Sequence, residues 1–480
     1  MSPDIITLLL ILLLGPIIFI IGWYQPFAML SALIVLLPFR DFSIRVLNAF
    51  TEIPIETVNA ISRWWFVIIM ALLCVWAVRG IRSYLTEKKF PRPSPIDLIL
   101  VVILILGLVE ALLSPNQMAG ITSFRGYFQP LLVFVLARSF APKHDKQLRV
   151  IHYILIGVGM ILLAMALWQL MAWSEETYKL WGYVDQAGRI TGLFRDLEEL
   201  SLGTGYIRPA STVSGPNELA VLMMIFFFLA AQWALFGPKK GRPYLIVASI
   251  GCLIGLVITN SRSAFVGFIA ASGVFILYMV VTYRSTLRKL TLRKWGLVTI
   301  SILISLTALL LFMDFMGMLD IVIWSIQHPL ADAHISESIR ALGDILQHPA
   351  GVGMGMVWPK GAAILREVEA SYHIEGALFQ IAFEWGLWGF GIWMLFIGLG
   401  MVRNLKLWRK SSSIETRIHG GTTVIGWVGS LVVLIFLPLM QSISLMVLLW
   451  FMLGLGVGLE RNQTVYTTNQ KPNVSQQQSG

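Results

Sequence analysis

Five residues in this chain have the type and setting to do chemistry: Arg208, Arg262, Arg340, His373 and Glu375. Arg208 precedes Pro209 and leads into Ser214-Gly215-Pro216-Asn217-Glu218, Arg262 closes the short turn Asn260-Ser261-Arg262, and Arg340 lies in a long polar stretch running from Asp320 to Gly389. An arginine is always charged, and its planar fork matches phosphate oxygens, so three of them on one side of a membrane can form a diphosphate site. The structural alternative is an interfacial anchor, or a local pair such as Arg340 with Asp344 one helical turn on. His373 stands two residues from Glu375, where the polar stretch returns to apolar sequence. A histidine there can take a proton from an incoming hydroxyl, although a lone interfacial histidine is more often structural. The other histidines offer less: His144 and His419 fall in basic loops, His152 begins an apolar run, and His328, His334 and His348 have no convincing partner.

Other site chemistries find little support. There is no His-Glu-x-x-His pattern and no cysteine cluster, so no metal is expected; without a phosphate-binding Walker loop, no nucleotide cofactor is expected either. Gly351, Gly353 and Gly355 alternate in a way that permits a tight backbone turn. No strand precedes them, so they read as a loop rather than a dinucleotide fingerprint. Cys74 and Cys252 lie in apolar runs and read as small hydrophobes.

The elements that must position these residues are membrane helices. The chain has 480 residues, 57% of them hydrophobic and 13% charged, with a mean hydropathy of +0.76. Apolar runs long enough to cross about 30 Å of hydrocarbon recur along its whole length, which predicts an all-α polytopic membrane protein of about 12–13 transmembrane helices. The net charge of +10 does not point to nucleic acid, because the cations cluster in short connections: Arg79 to Arg92, Arg138 to Arg149, Lys239 to Arg242, Arg284 to Lys294 and Arg403 to Arg417. Such loops are expected on the cytoplasmic side, which puts two long polar loops outside. The expected organisation is N-terminal helices over 1–173, a first outer loop over 174–215, and central helices over 216–314. A second outer loop follows over 315–376, then C-terminal helices over 377–459 and a disordered cytoplasmic tail over 460–480. Residues 40–63 read as a mixed polar segment. Ser336 to His348 has helical spacing and is ended by Pro349, which predicts a helix along the outer membrane surface with Arg340 on its polar side.

Four motifs in this order resemble the O-antigen ligase and Wzy-type O-antigen polymerase superfamily of bacterial envelope polysaccharide assembly. They are Arg208-Pro209-Ala210-Ser211 with Gly215-Pro216-Asn217-Glu218-Leu219-Ala220; Thr259-Asn260-Ser261-Arg262-Ser263-Ala264; Arg340 with His348-Pro349-Ala350-Gly351-Val352-Gly353; and His373 through Glu384-Trp385-Gly386-Leu387-Trp388-Gly389. The resemblance covers roughly residues 200–400. It implies a metal-independent, inverting glycosyltransferase in the bacterial cytoplasmic membrane with an extracytoplasmic site. Its donor would be a glycan on undecaprenyl diphosphate, and its acceptor a glycan, lipid or protein. It also implies that His373 acts as base and that Arg208, Arg262 and Arg340 hold the diphosphate. The family pattern sets His-Asn eleven residues before the glycine of Glu-x-Gly, a position held here by Glu375, followed by Gly376. On a continuous helix two residues turn a side chain by about 200°, so Glu375 is the rival base.

Two other classes fit the same residues. A small-anion transporter would line its path with the arginines, but it predicts internal repeats or paired broken helices, and the sequence shows no such symmetry. A non-catalytic scaffold in a polysaccharide assembly complex would leave each arginine a plain anchor. Nothing in the sequence separates polymerase from ligase.

Overall fold

The computed structural model describes residues 3–51, 53–87, 94–183, 194–195, 206–282, 333–357 and 374–469. His373, residues 184–193, 196–205 and 358–372 in the two long polar loops, the run 283–332 and the end of the tail lie outside the described residues. Apart from a two-residue antiparallel pairing of Phe194–Arg195 with Tyr206–Ile207, the described secondary structure is helical. The protein is an all-α polytopic membrane protein.

The helices run α1 Pro3–Tyr24, α2 Pro26–Leu36, α3 Arg40–Phe50, α4 Ile55–Ile61, α5 Trp64–Glu87, α6 Pro95–Leu113, α7 Gln117–Ser139 and α8 Asp145–Ala172. They continue with α9 Glu175–Leu180, α10 Pro216–Phe236, α11 Arg242–Ile258, α12 Arg262–Thr282, α13 Ala333–Gln347, α14 Ala377–Lys410, α15 Ile414–Phe436 and α16 Ile443–Asn469. Among the described residues nine helices are long and apolar enough to cross a membrane, and Ile11–Tyr24 and Arg242–Ile258 are shorter apolar helices. Their ends follow ordinary chemistry. Proline occupies the first turn of α6, α10 and α11, where its missing N–H costs nothing. Ser94 with Asp97 closes a capping box on α6.

Three helices form the centre. In α10, α15 and α16 the apolar windows are 78%, 78% and 89% buried, whereas in α6 and α12 the figure is 28%. Side chains turned outward from α1, α6 and α12 are themselves apolar, among them Leu12, Leu13, Ile105, Leu108, Ile269 and Leu277, as a hydrocarbon surround requires. α11 packs on α10, α12 and α14 on α15, and α7 on α16. The α12–α15 contact is close because Gly267 faces the Gly429 carbonyl: a Cβ at 267 would come within 2.6 Å of that oxygen.

Two readings change and one gains detail. The mixed polar segment 40–63 is largely helical, since α3 and α4 form there; α3 carries a strongly amphipathic pattern that charge content alone concealed. His419 is not in a loop. α15 begins at Ile414, and His419 is buried inside it, with its Nδ1 3.3 Å from Nε2 of the buried His152. The tail begins as helix, because α16 continues to Asn469 and brings Glu460 within 3.2 Å of Arg403.

Candidate functional site

Arg208 joins two of the sequence motifs directly. Its Nε donates to the Thr259 carbonyl at 2.8 Å, and its Nη2 donates to Asn217 Oδ1 at 2.7 Å. The turn it holds is buried: Thr259, Asn260 and Ser261 are 0%, 3% and 1% exposed. Among the described residues the non-glycine positions with positive φ are Ser211 at 54° and Asn260 at 48°. One lies in each of the two motifs that Arg208 connects. Such backbone costs about 1 kcal/mol or more, and it persists where surrounding bonds over-determine it. Ser211 is held in that way: its N–H donates to Gln169 Oε1 at 2.7 Å, its hydroxyl donates to the Leu162 carbonyl at 2.8 Å, and its carbonyl accepts from Gln169 Nε2 at 3.0 Å and from the Tyr183 hydroxyl. Burial pushes the Tyr183 phenol above its ordinary value, with Arg45 acting in the opposite sense, so the ring stays protonated and remains a donor.

Arg45 is a residue that sequence reasoning missed. From α3 it donates to the carbonyls of Val213 at 3.0 Å and Ser214 at 2.6 Å, and it lies over the Tyr183 ring at 4.1 Å. Ser214 in turn donates from its backbone N–H to Glu218 Oε2 at 3.0 Å. Two arginines therefore hold the short loop that leads into α10, one at Asn217 and one at Val213–Ser214. The signal was the amphipathic spacing of residues 40–50, which places Arg45 on a helix rather than in a mixed loop.

Arg262 is the first residue of α12, and that first turn contains no acidic residue. A helix N-terminus carries roughly half a positive charge from its unpaired N–H groups. Adding a permanent cation there is unfavourable by itself and raises the attraction for an anion.

Arg340 and Glu375 flank a small cluster formed by Ala341, Ile345, Val357, Ile374, Ala382 and Phe383. α13 forms as the spacing predicts and turns Ala341 and Ile345 into that cluster, while Ile339, Leu342 and Leu346 face outward with Arg340 beside them. Glu375 precedes α14 rather than lying on it, because the helix starts at Ala377 after an extended Gly376. The two-residue rotation of a helix therefore does not apply to Ile374–Gly376. His373 lies outside the described residues. The Ala377 N–H donates to the Leu437 carbonyl at 3.2 Å, fixing Glu375 near the end of α15. α12 packs on α15 through Gly267 against Gly429 and Val433, so Arg262 approaches the same end.

The glycine loop and the Glu384-Trp385-Gly386 motif prove to be one device. Gly386 has φ 70° and ψ 176° and breaks α14. The break leaves backbone groups that need partners, and residues 349–355 supply them. The Val352 N–H donates to the Phe383 carbonyl at 2.9 Å, the Gly353 N–H to the Glu384 carbonyl at 3.2 Å, and the Leu387 N–H to the Pro349 carbonyl at 3.0 Å. Gly351, Gly353 and Gly355 have φ of 88°, 98° and 84°. A side chain would fail at each for a second reason, since a Cβ on Gly351 would stand 2.6 Å from the Glu384 carbonyl and one on Gly355 within the Ala119 backbone. The Glu384 side chain completes the join: it accepts from the Gly355 N–H at 3.0 Å and from the Tyr127 hydroxyl at 3.1 Å, all buried. The loop is thus a strut between α7 and α14.

Among the described residues no three of His, Cys, Asp and Glu gather closely enough to hold a metal ion. Comparison with protein-family models and with characterised proteins finds no match to this chain.

Proposed function

We propose that this protein is a membrane glycosyltransferase that moves a glycan from undecaprenyl diphosphate to an acceptor hydroxyl, as a polymerase or ligase of envelope polysaccharide. The observation that carries the reading is the Arg208 join. It ties the loop before α10 to the turn before α12, with left-handed backbone at Ser211 in one and Asn260 in the other, beside a helix N-terminus headed by Arg262. Strain held by a dense bond network beside cations of one sign suits a site built to receive an anion. A diphosphate leaving group has the required charge.

In this reading the acceptor oxygen attacks the anomeric carbon from the face opposite the diphosphate. The new C–O bond forms as the bond to the phosphate oxygen breaks, and the linkage inverts. The electron pair leaves with the diphosphate, where Arg262, Arg340 and Arg208 stabilise it. The acceptor proton passes to Glu375 or His373. Arg340 reaches the site from α13 and Glu375 from the extended approach to α14. The site opens on the extracytoplasmic face of a bacterial cytoplasmic membrane, the side away from the basic connections.

The test is transfer by purified protein in lipid nanodiscs, supplied with a lipid-diphosphate-linked oligosaccharide. Arg262→Gln and Arg340→Gln are expected to lower turnover by at least about tenfold through lost stabilisation of the leaving group. Arg208→Lys should also lower it, because a point charge does not reproduce a fork held on Thr259 and Asn217. Full turnover in all three variants would refute the proposal. Altered flux of a small anion through the same protein, without glycan transfer, would mark a transporter.

A further inference from the structure

Beside its packed face, α13 carries an apolar strip that the protein leaves bare. At about 100° per residue, Ile339, Leu342 and Leu346 fall within about 60° of one another, next to the Ala341 and Ile345 face that packs on α14 and α15. They are 57%, 51% and 65% exposed. Arg340 and Gln347 lie on the other flank of the strip, roughly 100° round the helix.

What covers the strip follows from its depth. Bilayer hydrocarbon is about 30 Å thick, the length of about 20 helical residues. Counted outward from Arg403 on α14, that length ends at Phe383; counted from Arg417 on α15, it ends at Leu437, whose carbonyl accepts from the Ala377 N–H. The cluster that seats α13 contains both Ile374 and Phe383, so the helix lies at the outer boundary of the hydrocarbon. A second observation marks the same level. The Leu387 N–H donates to the Pro349 carbonyl, which brings Leu387 and Trp388 beside the end of α13, and these side chains are 44% and 84% exposed. A tryptophan so exposed in apolar sequence stands where interfacial tryptophans stand, between headgroups and chains. Three large aliphatic side chains gain by contact with chains at that level and lose by contact with water.

We propose that α13 is a docking helix for a phosphate-bearing lipid of the outer leaflet, its hydrocarbon chain lying along Ile339, Leu342 and Leu346 and its phosphate at Arg340. The ligand then arrives sideways from the membrane plane. A soluble anion would reach Arg340 and leave the strip bare. The inference rests on the proposed function in one respect: there, the docked lipid is the glycan donor.

The experiment uses the full chain in nanodiscs, in a Cys74→Ser background, with a fluorophore on Leu342→Cys or Gln347→Cys; Cys252 is buried. Replacing phosphatidylcholine with its tail-brominated form should quench the Leu342 label and leave the Gln347 label bright. An unquenched label at Leu342 would mean that water or another protein chain covers the strip, and would overturn the proposal. Undecaprenyl diphosphate retained by detergent-purified protein, counted by native mass spectrometry, should fall about tenfold in Leu342→Ser/Leu346→Ser, through lost contact with the chain. Inorganic diphosphate should bind that variant as it binds wild type. Equal loss of both ligands, or lipid retention at the wild-type level, would overturn the proposal as well. Both leucines are exposed, so the exchanges leave the packed face of α13 intact. Neither readout needs turnover, so docking without glycan transfer would refute the proposed function alone.

Discussion

Glu384 is the residue whose loss should be felt most widely at the arginine end. Its two carboxyl oxygens accept from Gly355 on the glycine loop and from Tyr127 on α7, so one side chain ties three segments together. Truncation strands a buried N–H and a buried hydroxyl, each costing about 1–3 kcal/mol. Glu384→Ala should therefore lower stability by roughly 3 kcal/mol or more, and Tyr127→Phe by about 1 kcal/mol. The double variant should show a coupling of about 1 kcal/mol, since the two residues share a bond. Thermal unfolding of the four proteins in one detergent measures all three quantities, and strictly additive effects would contradict the shared bond. Glu375 also belongs to this scale: it stands half-buried on extended backbone at the mouth of α14, outside the helical geometry that spacing arguments assume.

At the level of elements, α14 supplies an internal control. Gly386 and Gly391 lie in the same helix, yet a Cβ on Gly386 would come within 2.6 Å of the Ala350 backbone, whereas one on Gly391 meets nothing within 4 Å. Gly386→Ala should destabilise by more than about 2 kcal/mol, because it adds a clash to a positive φ. Gly391→Ala should be neutral or stabilising by up to about 1 kcal/mol, the helix-propensity gain. Urea or thermal denaturation read by circular dichroism distinguishes the signs. The same helix shows what a sequence discloses. Its span, its basic end and the α13 helix before it were legible, because hydropathy, loop charge and helical spacing are local. That Gly351, Gly353 and Gly355 serve a break at Gly386 was not, since the partners lie about thirty residues apart and neither half has meaning alone. Arg45 was hidden for a related reason: its partners at Val213 and Ser214 are brought to it only by tertiary packing. Within the site, the Arg208 contact with Asn217 joins neighbours, while its contact with Thr259 needed the fold.

For the molecule as a whole, charge bias divides the bundle into two ends, the arginine end and the basic end where Arg149 pairs with Glu415 and Arg403 with Glu460. In a Cys74→Ser background, a cysteine placed at exposed His348 should react with a membrane-impermeant maleimide on intact cells, and one at exposed Ser412 only after permeabilisation. The reverse pattern would invert the orientation. The break in α14 also bears on how the chain is made. A helix interrupted within apolar sequence cannot enter lipid cheaply, because each unpaired backbone group costs several kcal/mol there. The glycine loop that satisfies it is translated first, with Gly355 only 29 residues ahead of Glu384. When α14 leaves the ribosome its missing partners are already waiting, so the pair can enter the membrane as one unit, and the order of synthesis itself protects the weakest point of the backbone.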